Sequence, residues 1–169
     1  MPACPLSHKA FATYLLAKGI VSEKVTEIGS AKPGSLLPDV WIPREKGAWL
    51  IKIVGRKFPS GQKSPQYWRN WIKEEVLEHA LQWENWPGGN FTSLLVFAYE
   101  IIGDKSPLEP KQLFSYQGNT FAFVVIRTKI YRQFCKQLSP RWGTVTMPVS
   151  EFRKWGRGWE DFWKEAPFI

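Results

Sequence analysis

Cysteine and histidine are nearly missing from this sequence. Its 169 residues hold only Cys4 and Cys135, with no CxxC pair, and two histidines, His8 and His79. So small a supply of thiol and imidazole argues against a zinc site and against a disulfide framework. His79 lies in EEVLEHALQW with no second histidine one turn away, so the HExxH pattern of zinc peptidases is absent. A P-loop, a GxGxxG fingerprint and a Ser, His and Asp arrangement are missing too. No apolar run nears the roughly 18 residues that a membrane span needs. The N-terminal MPACPLSHKAFATYLLAKG has no uninterrupted apolar core followed by a small-residue cleavage site. These absences predict a cytoplasmic protein with no membrane partner.

Acid is in shorter supply than base. Lys and Arg number 23 against 15 Asp and Glu, a formal net charge of +8. Such an excess favours polyanions, because each phosphate neutralised by a cation releases condensed counterions. Hydrophobic residues make up 44% and charged residues 22%, an ordinary globular balance that predicts a single domain over residues 1–169.

Periodicity and turn chemistry give the elements. Ser7 is placed to cap a helix running to about Lys18, with Gly19 as its stop. Residues 21–28 alternate as a strand, and a Pro- and Gly-bearing loop over 29–37 follows. The stretch LLPDVWIPREKGAWLIKIVGRK, from Leu36, reads as a hairpin of strands over 39–42 and 49–54. Residues 56–66 are basic and rich in Pro, Gly and Ser, the composition of an exposed loop. A helix is expected over 72–86, with Val76, Ala80 and Trp83 inward and Glu74, Glu75 and Glu78 solvated. LLVFAYEII, from Leu94, suits a strand covered on both faces. A hairpin over 111–127, a helix over 129–138, a short strand over 144–149 and a helical region from Ser150 complete the reading. The aromatics of that last region, Trp155, Trp159, Phe162 and Trp163, are expected against the open face of the sheet.

The order helix, three strands, helix, strand, together with Pro38-Asp39 and Lys52, resembles the PD-(D/E)xK nuclease superfamily, the fold of many restriction enzymes and archaeal Holliday-junction resolvases. Gly29-Ser30 is similar to the small-residue turn before the motif's Pro-Asp, and Gly55-Arg56-Lys57 to the ending that follows its third-strand E-x-K. The resemblance implies an α/β fold, a mixed central sheet with an αβββαβ core over about 7–102, flanked by helices. The C-terminal β-hairpin and helices form an extension over about 103–169.

It also implies a site. In that superfamily Asp39 and a third-strand acid would hold Mg²⁺, and a lysine two residues on would steady the attacking water. The third strand offers two registers. Leu50-Ile51-Lys52 supplies the lysine without the acid, and Lys52-Ile53-Val54 supplies neither. Helix 1 carries no carboxylate from Lys9 to Lys18, where many members place a glutamate. Glu27 is the nearest spare acid, so the candidate catalytic set is Asp39, Lys52 and Glu27, with Asp39 and Glu27 as metal ligands.

Basic residues Arg56, Lys57, Lys63 and Arg69 with Trp68 are the candidate nucleic-acid contacts, since Tyr67-Trp68-Arg69-Asn70-Trp71 interleaves rings with a cation as base-stacking surfaces do. Packing of Trp68 and Trp71 under the following helix is the competing use. Two functions follow. One is a DNA-binding protein on the nuclease fold, a Mg²⁺-dependent endonuclease if its site works. The other is a non-catalytic subunit, self-associated or assembled with other proteins in a DNA-processing or defence complex. An ion pair between Lys52 and Asp39 favours a structural site in either case.

Overall fold

The computed structural model of the chain describes residues 5–24 and 36–166. Helix α1 (Leu6–Ala17) begins at a Pro5 N-cap, so Ser7 lies inside the first turn instead of capping it. Gly19 at φ +71° supplies the left-handed residue that ends the helix. Strand β1 (Glu23–Lys24) is the described part of the first expected strand. Strands β2 (Val40–Arg44) and β3 (Gly47–Phe58) form the expected hairpin.

β3 is longer than its local composition suggests. It takes in Arg56 and Lys57, because Gly55 through Phe58 find parallel partners on β5 (Phe91–Ile101) up to Phe58↔Ile101. That pairing is long-range, so turn-forming composition nearby cannot announce it. Between the two strands, β4 (Ile72–Lys73), α2 (Glu74–Gln82) and a 3₁₀ turn (Trp83–Asn85) replace the one helix expected over 72–86. The inward residues of α2 are Leu77 and Ala80, while Val76 is only half-buried.

Beyond β5 come β6 (Phe114–Tyr116), β7 (Asn119–Arg127), α3 (Thr128–Phe134), β8 (Lys136–Ser139), β9 (Thr144–Thr146), α4 (Val149–Trp155), β10 (Arg157–Gly158) and α5 (Trp159–Glu165). The helix expected over 129–138 therefore ends early and its tail becomes β8, drawn out by pairing with β9. The main sheet runs β1-β2-β3-β5-β7-β10 with β6 also on β7, and a smaller sheet runs β4-β9-β8. Among the described residues only β3 and β5 are parallel neighbours, which makes the main sheet mixed. β7, the second strand of the C-terminal hairpin, pairs with β5 from Leu94↔Arg127 to Glu100↔Phe121 and so extends the central sheet.

Alternation along β3 splits the core into two faces. Trp49, Ile51 and Ile53 pack with Phe11, Tyr14 and Leu15 of α1 and with Trp159 and Phe162 of α5. Val54 and Phe58 face the other way, toward Leu77 of α2, Tyr131 of α3 and Phe152 of α4. Gly156 to Gly158 carries the chain past the sheet edge, so the C-terminal aromatics divide between both faces instead of covering one. β5 lies between the layers, and Leu94 through Tyr99 are fully buried as the continuous apolar run predicts. Among the described residues no helix is long and apolar enough to cross a membrane.

Candidate functional site

Asp39 stands where β2 begins, and β2 covers β3 only from Gly47 to Ile51. The two strands fork at Lys52. Asp39 is sewn into that fork by its backbone N–H, which donates to Ile51 O at 2.8 Å. Its Oδ2 accepts the Ile53 N–H at 2.8 Å. Lys52 projects toward it, with Nζ 3.5 Å from Asp39 Oδ1 and 3.2 Å from the Leu37 carbonyl oxygen. Both Asp39 and Lys52 are only 7% exposed.

The β3 residue whose side chain meets Asp39 is Lys52, whereas Leu50 packs with Ala80 and Trp83. Two residues on from Lys52, Val54 is buried.

His8 completes the site from α1. Its Nε2 lies 3.5 Å from Asp39 Oδ2, and its Nδ1 is 3.2 Å from Ser7 Oγ. Sequence position after a supposed cap suggests a solvated side chain, but the first turn of α1 packs down on β3. Gly55 permits this close approach, since a Cβ there would lie 2.6 Å from Ser7 Oγ. A groove of about 370 Å³ opens beside it, lined by Ser7, His8, Gly55, Lys57 and Glu100 among others.

These donors do not fit a divalent cation. Mg²⁺ is held octahedrally by hard oxygens, several of them water, through one or two carboxylates, and the described side chains at the fork are one carboxylate, one imidazole and one ammonium. The ammonium lies against the carboxylate oxygen a cation would need, and its charge repels one. Among the described residues no group of three His, Cys, Asp or Glu converges anywhere. Glu27, the second expected ligand, and Gly29-Ser30 lie outside the described residues.

The candidate phosphate contacts part company. Lys57, Lys63 and Arg69 are exposed, and Arg69 Nε donates to Gln66 Oε1 at 3.0 Å. Arg56 turns inward. Its guanidinium donates to the Gly55 and Trp71 carbonyls and stacks 4.1 Å from the Trp71 ring centre, and burial pulls its pKa down. Trp68 is half-buried, in edge contact with Phe58, Tyr99 and Phe152, so its ring is mostly committed to the core.

The same packing gathers cations the sequence leaves far apart. Lys105 Nζ sits 5.1 Å from the Tyr67 ring centre, and the Arg153 guanidinium 5.2 Å from that of Trp68. Both are exposed, beside the loop that bears Lys63 and Arg69. No local pattern could have found them, because Lys105 follows β5 and Arg153 lies on α4.

The sequence matches no protein-family model and no curated protein. The structure is similar to Archaeoglobus fulgidus Hjc, a Holliday junction resolvase from an archaeal hyperthermophile. The likeness covers 89% of this chain and 91% of that one, with a TM-score of 0.50 at 10% sequence identity. Taken with the mixed sheet, this likeness shows that the chain shares the fold of that resolvase.

Proposed function

We propose that this chain binds nucleic acid, DNA in the first instance, on a nuclease fold whose metal site has become an ion pair. One observation carries the reading: Lys52 Nζ lies 3.5 Å from Asp39 Oδ1, at the β3 position that faces the fork's only described acid. A buried ammonium beside that acid balances its charge without a cation and, among the described residues, leaves no ligand set to activate water. Binding is supported separately, by the net charge of +8 and by the exposed Lys57, Lys63, Arg69, Lys105 and Arg153.

Two measurements test the two halves. Anisotropy of a labelled DNA duplex, titrated at several salt concentrations, should give an affinity that falls steeply with salt. Lys63→Gln with Arg153→Gln should then flatten the logarithmic slope by about two. Absence of binding to any nucleic acid, duplex or single-stranded, even at low salt would sink the binding reading. Plasmid DNA incubated with Mg²⁺ or Mn²⁺ should stay intact. Metal-dependent cleavage that disappears in Asp39→Ala would show instead that the fork still works as a nuclease.

A further inference from the structure

The chain between Glu109 and Glu151 contains no acid, while it carries Lys111, Arg127, Lys129, Arg132, Lys136 and Arg141. Three of these are paired: Lys111 with Glu109, Lys129 with Glu84 and Arg132 with Glu78. Arg127, Lys136 and Arg141 are exposed and make no ion pair among the described residues. Two of those three sit on the β8-β9 hairpin, whose turn is Pro140-Arg141-Trp142-Gly143.

Trp142 is 68% exposed, the most exposed of the ten tryptophans. Its neighbours hold it there. The Trp142 N–H donates to Ser139 Oγ at 3.3 Å, and Gly143, at φ +60°, donates to Pro140 O at 3.3 Å. The start of α2 fixes the turn from below, as the Glu74 N–H donates to Gly143 O at 2.8 Å. The Arg141 guanidinium lies 5.3 Å from the indole centre. A braced turn thus presents an exposed indole, with a cation over one side of the ring, on a stretch of sequence that holds no acid.

Resting on the nucleic-acid reading above, we propose that Trp142 is a base-stacking platform for single-stranded nucleic acid. Arg141 and Lys136 would take the flanking phosphates. An indole face accepts any unstacked base, and a paired base inside a duplex offers it none. A protein partner fits the observations less well, because protein interfaces bury their apolar residues as a continuous patch, and here the exposed apolar side chains of the hairpin, Trp142 and Leu138, are flanked by Lys136 and Arg141.

The probe is a fluorescein-labelled oligothymidylate, with a duplex of equal length beside it and the full chain throughout. Trp142→Ala should weaken binding of the single strand about tenfold. Trp142→Phe should restore most of it, and duplex affinity should stay within about twofold. The melting temperature should not move, since the ring packs on little. Undiminished single-strand binding by Trp142→Ala, or a wild-type chain that binds duplex alone, overturns the platform and leaves the general reading standing. A chain that binds neither probe removes both. A changed sedimentation coefficient in Trp142→Ala would assign the ring to contact between copies, against the proposal.

Discussion

At the scale of the residue, Lys52 decides what the fork is. A lysine held 3.5 Å from Asp39 Oδ1 at 7% exposure is worth little as net stability, because desolvation of two charges offsets most of their attraction. Removing one partner is another matter. Asp39→Ala takes away the carboxylate beside a buried ammonium and also orphans the Ile53 N–H, so a loss of about 3 kcal/mol is expected in denaturant unfolding. Adding Lys52→Met to that variant should recover a large part of the loss, as both charges are then gone. Mg²⁺ should leave the unfolding midpoint of the unaltered chain where it is. A midpoint raised by Mg²⁺, or a harmless Asp39→Ala, would contradict the ion-pair description. Pro38, Asp39 and Lys52 stand out in the sequence, but which β3 side chain meets Asp39 does not, because Leu50 and Lys52 share a strand parity and only the pairing geometry distinguishes them.

Among elements, the ones read best from sequence are those whose stability is local. α1, β2 and the start of β3 fall within a residue or two of their expected limits and β5 within three, since apolar periodicity and Gly19 act where they stand, while the end of β3 runs on along β5. The elements misread are those made by distant partners. The tail of the expected third helix becomes β8 because β9 pairs with it, and Ile72–Lys73 leaves its helix to pair with the same β9. The loop over 59–71 shows how such partners work. Asn70, 1% exposed and unremarked in the sequence, accepts from the Met147 N–H at 2.7 Å and donates to the Met147 and Trp68 carbonyls at 3.0 and 3.1 Å. It ties the basic loop to the end of β9. Asn70→Ala should therefore cost about 2 kcal/mol by stranding a buried N–H, and should increase proteolytic nicking between Ser60 and Arg69. If stability fell while the loop stayed protected, Asn70 would be a packing residue and not the tether.

For the molecule as a whole, the sheet's buried phenols link the loop to the core. Three successive carbonyls, of Arg69, Asn70 and Trp71, accept from Tyr99, Tyr131 and Arg56, which rise from β5, α3 and β3. Burial, the largest cause in each case, drives the pKa of Tyr99 and Tyr131 upward, and that of Tyr14 in the opposite layer as well. For Tyr99 and Tyr131 the Arg56 charge works against that rise. A phenol whose pKa is raised by folding holds its proton more tightly in the native state. Its contribution to stability is therefore complete below the ordinary value of 10.0 and is lost as pH climbs above it. Ionisation would also remove two of the three donors that hold the loop. Stability measured against pH should thus be flat with respect to these groups up to about 10 and then fall. The tyrosinate absorbance of Tyr14, Tyr99 and Tyr131 should appear together with loss of the native circular dichroism, not before it. Tyr99→Phe should keep the ring packing, drop the Arg69 contact and soften the alkaline fall. Complete ionisation of all five tyrosines in a chain that keeps its native spectrum would show that neither the phenols nor the loop they hold is tied to the fold in this way.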